Sequence, residues 1–239
     1  MGKELLDYIA QEAPAPGARI PPISELSDRL GISASKLREQ LEVARVLGIV
    51  EVRPKTGIRT REFSYLPSLR LALLFVLAQD RTRFEEIRSL RTQLEAAYWM
   101  EAVARLQPSD LDRLDLLVAQ AWDKLRGAPL QIPHAEHKGL HQTVFSRLPN
   151  PLVRSLLEAY WEAYEAAGLN LYADYAYLHE VWTYHEAMVR AIRQGDLEAG
   201  RQALLNHTGL LRGRSVPAGL TPEPDRHEAQ PENWKGHLG

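Results

Sequence analysis

Residues 64–214 form one long stretch in which apolar side chains recur at the spacing of amphipathic helices, broken only by short turns. This pattern predicts an all-helical antiparallel bundle, because short turns make successive helices antiparallel neighbours. Residues 1–63 instead combine short helical stretches with one short strand pair. Residues 215–239 are rich in proline and offer too little apolar surface to order themselves. We therefore expect a mainly α protein with an N-terminal domain at 1–63, a helical domain at 64–214 and a disordered tail at 215–239.

The composition excludes several classes of protein. The 239-residue chain has 29 basic and 31 acidic side chains, which excludes a strongly basic nucleic-acid coat, and its 45% hydrophobic residues suffice for a buried core. The absence of cysteine excludes disulfides, zinc ribbons, iron–sulfur clusters and thiol nucleophiles, so any metal must be held by His, Asp or Glu. The N-terminus has no apolar signal core, and the longest near-apolar run, 71–78, is far shorter than the roughly 20 residues of a membrane helix. We expect a cytoplasmic protein without a membrane partner.

The first 63 residues show the element order of a winged helix-turn-helix. The predicted elements are, in chain order, helices at 3–12, at 23–30 and up to 47, and strands at 49–52 and 58–63. Gly31 is a left-handed stop for the second helix, and Ser33 and Ser35 are candidate N-caps for the third. Helix, short glycine turn, helix and β-hairpin together predict a DNA-binding domain.

Local charge favours DNA binding where the whole-chain average does not. Residues 36–61 carry seven cationic and three acidic side chains, a net charge of +4. The start of the third helix is where a recognition helix contacts phosphates beside free backbone amides. The polar and basic side chains at this point are Ser33, Ser35, Lys36 and Arg38. The alternative interpretation of the same charges is a solvated helix face on a small domain of another kind.

Four histidines of the helical region lie on apolar helix faces. His137 and His141 are four residues apart, so they project from the same face of one helix. His185 and His207 flank residues 195–196, Gly-Asp, which indicate a turn followed by an N-cap. If the two helices fold back on each other there, both histidines lie about 15–18 Å from the turn, at the same level. We predict one metal centre held by the four imidazoles; unrelated core histidines with separate partners are the alternative.

These four ligands restrict the identity of the metal only in part. Imidazole suits zinc, nickel, copper or iron, whereas carboxylate ligands favour manganese, so we expect a divalent ion, zinc first, with nickel, manganese or iron as alternatives. Neither Glu-x-x-His nor His-Glu-x-x-His occurs in the sequence, and we expect no enzyme. The aromatic residues concentrated between 160 and 184 fit a ligand pocket or ordinary packing.

The two zones together resemble the GntR family of bacterial transcription regulators, in its FadR-like branch with a helical FCD domain. The resemblance covers about residues 5–212. In the N-terminal part it is carried by segments 16–21, 25–27, 30–33, 37–39 and 47–50 and by Gly57. In the C-terminal part it is carried by segments 88–95, 109–111 and 185–196 and by His207.

The resemblance implies a homodimeric regulator that binds double-stranded operator DNA. It also implies a small organic-acid effector, bound beside a metal ion in the helical domain. His141, His185 and His207 match the three histidines of the family's metal site, while His137 occupies the position of an aspartate. Arg91 matches an arginine that meets the carboxylate of the effector.

The DNA-binding part departs from the family pattern. Ala34 and Ser24 stand where the family has arginines, whereas Arg38 is retained. We expect Arg38 to contact a phosphate or a base edge and Gly57 to let the hairpin approach the minor groove. Further phosphate contacts are expected from Lys36, Lys55 and Arg59. Because fewer DNA-contacting arginines are present than in the family, one alternative stays open. In this alternative the chain is a helical metalloprotein, either an enzyme or a metabolite binder, that has lost sequence-specific DNA binding.

Overall fold

The computed structural model describes residues 4–12, 15–53, 57–171 and 173–210. Within these residues the protein is mainly helical, with ten α-helices and one three-stranded sheet, which confirms the predicted fold class. The predicted tail at 215–239, the last four residues of the predicted helical domain and Lys55 lie outside the described residues. None of the helices in the described ranges is long and apolar enough to cross a bilayer.

The N-terminal domain is a winged helix. Its elements are α1 (Glu4–Glu12), β1 (Arg19–Ile20), α2 (Ile23–Leu30), α3 (Ala34–Val46), β2 (Val50–Arg53) and β3 (Gly57–Thr60). β3 lies in the middle of the antiparallel sheet, between β1 and β2. The sequence predicts the hairpin but not β1, because two residues are too few to show an alternating pattern. The predicted strand at 58–63 ends at Thr60.

The turn between α2 and α3 sets the position of the recognition helix. Gly31 ends α2 in the left-handed region, at φ 65°, and its N–H donates to the carbonyl of Ser27. The hydroxyl of Ser33 then caps α3 by accepting the backbone N–H of Lys36 at 3.3 Å. Both features are as predicted, while Ser35 lies inside the first turn and is not the cap.

One side of α3 packs into the core of this domain. Leu37 and Ala44 are buried there against Leu5, Leu26, Val50 and Ile58. Leu41, four residues after Leu37, is only half-buried, whereas the polar side chain of Gln40 is buried. The Gln40 amide is satisfied, because its oxygen accepts a backbone N–H of α1 at 2.8 Å and its nitrogen donates to the Glu4 carboxylate at 2.6 Å.

The second domain is entirely helical in the described residues. Its elements are α4 (Leu66–Gln79), α5 (Phe84–Val103), α6 (Pro108–Arg126), α7 (His134–Phe145), α8 (Pro151–Ala166), α9 (Tyr175–Gln194) and α10 (Leu197–Gly209). A short 3-10 turn at Arg81–Arg83 separates α4 from α5. The main core collects side chains from α5 to α10, and a smaller cluster lies where α4, α5 and α8 meet.

The antiparallel pair α9 and α10 turns where the sequence predicts it. Gly195 ends α9 at φ 73°, and the Asp196 side chain caps α10 by accepting a backbone N–H at 3.0 Å. Gly200 lets α10 approach α5 closely, since a Cβ here would lie 2.7 Å from Cζ2 of Trp99. The Trp99 indole N–H donates to the Leu197 carbonyl at 2.7 Å and fixes this contact.

The outer face of α4 is apolar, like its inner face. The inner side packs on α8, where Leu77 is buried. On the outer side, Leu71 is 55% exposed and Phe75 is 62% exposed. Large apolar side chains grouped on one exposed helix face are typical of a surface that a partner covers.

Candidate metal centre and nucleic-acid interface

The four predicted histidines converge at one point in the core of the helical domain. α7 supplies His137 and His141, α9 supplies His185 and α10 supplies His207, and all four side chains are buried. One ring nitrogen from each lies within 4.8 Å of the others. The ring centres of His185 and His207 are 4.2 Å apart, which confirms that the turn at 195–196 sets them at the same level.

The distances between these nitrogens fit the edges of a coordination shell. Nε2 of His141 lies 3.1 Å from that of His185 and 3.3 Å from that of His207, and His137 Nε2 is 3.2 Å from His207 Nε2. In a tetrahedral zinc site with metal–nitrogen distances of about 2.0–2.1 Å, the nitrogens are about 3.3 Å apart. An imidazole nitrogen directs one hydrogen or one lone pair in the ring plane, so His141 Nε2 cannot serve both neighbours by hydrogen bonds. A cation at the centre would satisfy all four nitrogens.

Burial favours the neutral form of these histidines. It lowers the pKa of His137, His185 and His207 well below the usual value, and the neighbouring imidazoles lower it further. Burial also lowers the pKa of His141, although Glu95 acts in the opposite direction. Neutral imidazole is the form that binds a metal ion, so the chemistry of this donor set fits one.

A buried carboxylate and a buried guanidinium stand behind His141. Oε1 of Glu95 lies 3.0 Å from His141 Nδ1 and 3.0 Å from Nε of Arg91, one turn earlier in α5. Burial acts to raise the pKa of Glu95, but Arg91 and His141 together outweigh it and hold the pKa below its usual value. A carboxylate on the second nitrogen of a ligating histidine orients the ring and makes it a stronger ligand.

Arg91, the residue expected at the effector, is packed between aromatic rings. Its guanidinium carbon lies 4.4 Å from the ring centre of Tyr160 and 5.1 Å from that of Trp161. Its Nη2 atom is buried and has no partner at hydrogen-bonding geometry in the described part of the chain. A buried guanidinium nitrogen in this condition is a donor that an anion can use.

Aromatic and charged contacts hold the helices around the site. The rings of Trp161 and Trp182 pack against His137, with ring centres 4.8 and 6.4 Å away. Both carboxylate oxygens of Glu136, next to His137 in α7, accept hydrogen bonds of 2.8 Å from Lys124 of α6. α7 is therefore held against α6 on one side and against α8 and α9 on the other.

Two other histidines of this domain lie outside the cluster. His134 pairs with Glu165 at 2.9 Å, and His179 is exposed beside the ring of Trp122. A cavity of about 20 Å³ borders His137 and His134, and this is room for about one water molecule. The aromatic residues of the 160–184 region that line it are Tyr164, Tyr177 and Trp182.

Of the predicted DNA-contacting residues at the start of α3, three are exposed and one forms an ion pair within the domain. Ser33, Ser35 and Arg38 are exposed. Lys36 instead forms an ion pair with Glu4 of α1, with Nζ 2.7 Å from Oε1. The hydrogen bond from Lys36 is the main reason why the pKa of Glu4 falls to about 2. The positive charge of Lys36 is therefore partly neutralised by Glu4 within the winged domain.

The hairpin carries further cations. Arg59 on β3 donates to the carbonyl of Gly17 at 2.7 Å, which ties the loop before β1 to the wing. Gly57 begins β3 in the left-handed region, at φ 79°. The guanidinium of Arg19 lies beside it, 3.7 Å from where a Cβ would stand. Arg19 adds to this surface a cation that sequence reasoning missed.

The C-terminal end of α3 meets α4. A Cβ at Gly48 would lie 2.9 Å from Cγ of Pro67. A groove between the two helices is lined by Arg38, Glu39, Glu42, Val43, Val46, Leu47 and Leu71. On the other side of α4, Arg70 pairs with Glu162 of α8 at 2.7 Å. The recognition helix is therefore joined through α4 to α8, the helix that carries Trp161.

Sequence reasoning assigned no role to Glu95, Glu4 or Gln40. Glu95 has a signal in the sequence, because it follows Arg91 by four residues and so shares its helix face. Glu4 and Gln40 have none, since they belong to different helices and lie 36 positions apart.

Three comparisons relate the chain to known proteins. The FCD domain family model matches residues 86–210, just over half of the chain. The "Uncharacterized HTH-type transcriptional regulator Rv0494" of Mycobacterium tuberculosis is 30% identical over 112 residues, which is 46% of this chain and 46% of that protein. The chain therefore matches about half the length of this relative. The solved structure of Streptococcus agalactiae GntR has the same fold, with a TM-score of 0.63 at 23% identity over 88% of this chain and 96% of that one.

Proposed function

The chain belongs to the FCD-domain family of GntR-type transcription regulators, a family of regulators and not of enzymes, and on this basis we propose that it is a metal-containing, ligand-responsive DNA-binding regulator. The winged domain binds double-stranded operator DNA. The helical domain holds a divalent metal ion, zinc first, and takes a small organic acid as effector. The observation that supports this most is the convergence of four buried imidazoles within the FCD region of a chain that also carries a winged helix.

The DNA-binding role is supported by the outer surface of α3 and by the hairpin. Ser33, Ser35 and Arg38 are exposed at the start of the recognition helix, where backbone amides also favour phosphate. Arg59 and Arg19 place further positive charge around Gly57 on the wing. We propose that Arg38 reads a base edge or a phosphate, while the wing contacts the adjacent backbone, with Lys36 and Lys55 as additional phosphate contacts.

The metal-binding role is supported by the donor set. Four neutral imidazoles with no carboxylate among them favour zinc or nickel over manganese. His137, His141, His185 and His207 are the residues that would hold the ion. A bound ion would supply a fixed positive charge there, and these four side chains would join α7, α9 and α10 through it.

The organic-acid role is supported by Arg91. Its buried Nη2 has no partner at hydrogen-bonding geometry among the described residues, and it can donate to a carboxylate. The rings of Tyr160 and Trp161 hold the guanidinium in place. Binding there changes DNA affinity only if the two conformations of the regulator differ in their affinity for the acid.

The homodimer is supported by the outer face of α4. Leu71 and Phe75 expose apolar surface there, and Leu71 also lines the groove beside α3. A second copy covering this face would place two winged domains on one near-palindromic DNA site.

Selection of DNA from a random-sequence duplex library tests the proposed function. We expect a near-palindromic motif to be enriched by the wild-type protein. Arg38→Ala should bind the selected duplex about 5- to 150-fold more weakly at fixed salt, as expected for loss of a base contact. Arg113→Ala, an exposed arginine of α6, should bind like the wild type. A library without an enriched motif would favour the alternative, a helical metalloprotein that does not read DNA sequence.

A further inference from the structure

The four imidazoles of the cluster are so deeply buried that an ion needs a route to reach them. His137 is 7% exposed, and His141, His185 and His207 are at most 2% exposed. Such a site is loaded either by local opening of the helices or through a gap between side chains. His137 is the most accessible of the four, so a route through a gap would reach it first.

A small cavity leads outwards from His137. Its volume is about 20 Å³, which is room for about one water molecule, and a bare divalent ion is smaller than water. Its lining combines buried side chains, such as Val181 and Trp182, with the partly exposed His134 and Asn170. The side-chain oxygen of Asn170 is itself buried and has no hydrogen-bond partner in the described part of the chain. A free acceptor of this kind can stabilise a cation, or a water molecule that the cation carries.

An imidazole and a carboxylate meet at the partly exposed side of this lining. Nε2 of His134 lies 2.9 Å from Oε1 of Glu165, and Nζ of Lys138 lies 3.0 Å from the same oxygen. The side chains of His134 and Glu165 are 19% and 39% exposed, so solvent ions reach this pair. The His134 ring is stacked on the ring of Tyr164, with centres 5.6 Å apart and planes 6° from parallel. The pair therefore offers two kinds of metal ligand in a fixed arrangement.

The charge of Glu165 suits the capture of a cation. Burial raises the pKa of Glu165, but hydrogen bonds from His134 and Lys138 outweigh it and hold the pKa below its usual value. The carboxylate is therefore ionised, and it attracts a divalent cation from solvent. The ammonium group of Lys138 competes with such a cation for the same oxygen.

His134 precedes His137 by three residues in α7, so the two are neighbours on the helix surface. Residues at this spacing have Cβ atoms about 5–6 Å apart. Both also border the same cavity. An ion held at His134 therefore has a ligand of the cluster as its next imidazole.

We propose that His134 and Glu165 form an entry site for the metal ion, which binds there first and passes through the cavity beside Asn170 to His137. The proposal rests on the proposed function, because it requires an ion in the four-histidine cluster. The entry site is not part of the final bound state. Removing it should therefore slow uptake and release by the same factor and leave the equilibrium affinity unchanged.

The kinetics of Co²⁺ exchange test the entry site. Protein stripped by a chelator is mixed with excess Co²⁺ in a stopped-flow instrument, and the visible absorption of bound Co²⁺ gives the rate of uptake. The rate of release is measured with excess chelator, at concentrations where it no longer depends on the chelator. Glu165→Gln and His134→Phe should each slow both rates about 10-fold, with an unchanged Kd for Co²⁺. His134→Phe keeps a ring to stack on Tyr164 and removes only the nitrogens.

Glu158→Gln is the matched control, because Glu158 is an exposed acid two turns earlier in α8. It should exchange Co²⁺ at the wild-type rates. Wild-type rates in Glu165→Gln and His134→Phe would overturn the entry site. Weaker binding with an unchanged rate of uptake would also overturn it, because the two residues would then stabilise the bound state. A wild type that binds no Co²⁺ would instead overturn the metal site of the proposed function.

Lys138→Ala gives a test in the opposite direction. The variant removes the ammonium group that competes for Glu165, so we expect Co²⁺ uptake to be about 2-fold or more faster than in the wild type. A purely structural role of the Glu165 pair would make no such acceleration. The Lys138 side chain is 29% exposed, so its truncation leaves the core of the domain intact. Uptake that is unchanged or slower in Lys138→Ala would overturn capture of the ion at Glu165.

Discussion

Gly200→Ala tests how closely α10 is set against α5, and therefore how His207 reaches the cluster. The added Cβ would lie 2.7 Å from Cζ2 of Trp99 and 3.6 Å from Cβ of Ala191. Carbon atoms in normal contact are about 3.5–4.0 Å apart, so the tryptophan contact must open by about 1 Å. Trp99 cannot turn away, because it is fully buried and its indole N–H is bonded to the carbonyl of Leu197. α10 must therefore shift away from α5.

Two opposing contributions set the change in the free energy of unfolding. A glycine replaced by alanine within a helix gains about 1 kcal/mol of helix propensity. An overpacked buried contact costs about 1–3 kcal/mol. We expect the steric cost to prevail, so that Gly200→Ala loses up to about 2 kcal/mol. His207 lies seven residues further along α10, so the same shift should also weaken metal binding.

Urea unfolding of the metal-free protein, followed by circular dichroism, measures the first effect, and competition with a chelator for Zn²⁺ measures the second. Gly209→Ala is the matched control in the same helix, because no atom of the described residues lies within 4 Å of a Cβ at that position. We expect the control to keep wild-type affinity for Zn²⁺. A Gly200→Ala protein that is about 1 kcal/mol more stable than the wild type, with unchanged Zn²⁺ affinity, would refute the close contact of α10 with Trp99.

Three further predictions concern the winged domain and the surface of α4. Glu4→Gln releases Lys36 from its ion pair, so Lys36 becomes free to contact a phosphate. In anisotropy titrations we expect this protein to bind duplex DNA more tightly, with a salt dependence steeper by about one phosphate contact. An unchanged salt dependence would place Lys36 away from DNA. The folded-state pKa of Glu4, about 2, lies below its ordinary value of 4.5, so the pair stabilises the domain above pH 4.5 and this stability is lost as the pH falls towards 2. Acid unfolding of the Glu4→Gln protein should therefore depend less on pH over this range than unfolding of the wild type, and identical profiles would exclude the pair as a source of stability. Phe75→Glu should convert a dimer into monomers, as measured by sedimentation equilibrium. Leu116→Glu, at an exposed position of α6, should leave the dimer intact. A dimeric Phe75→Glu protein would show that the dimer interface is not on the outer face of α4.

The convergence of the histidines could be predicted because it follows from local rules. His137 and His141 share a face by their spacing of four residues. His185 and His207 meet because a glycine with positive φ and an aspartate cap fix the turn at 195–196, and both histidines lie at a similar distance from it. The winged domain was predictable for the same reason, since caps, stops and alternation are all short-range signals.

The surroundings of the site could not be predicted, because they depend on contacts between distant elements. Nothing in the spacing of residues shows that Glu95 of α5 lies behind His141 of α7, or that Trp161 of α8 covers His137. The tie between Lys36 and α1 is hidden in the same way. Because such pairs are defined only when the helices pack, the sequence located the possible metal ligands but not the groups that orient them.

The metal content of protein purified without added metal tests the central claim most directly. Elemental analysis should find about one divalent transition-metal ion per chain in the wild type and in His179→Ala, whose exposed imidazole lies outside the cluster. His185→Ala and His207→Ala should each lose most of the bound ion, because each removes one of the four ligands. A wild type without a bound ion, or either cluster variant with a full complement, would contradict a metal centre held by these histidines.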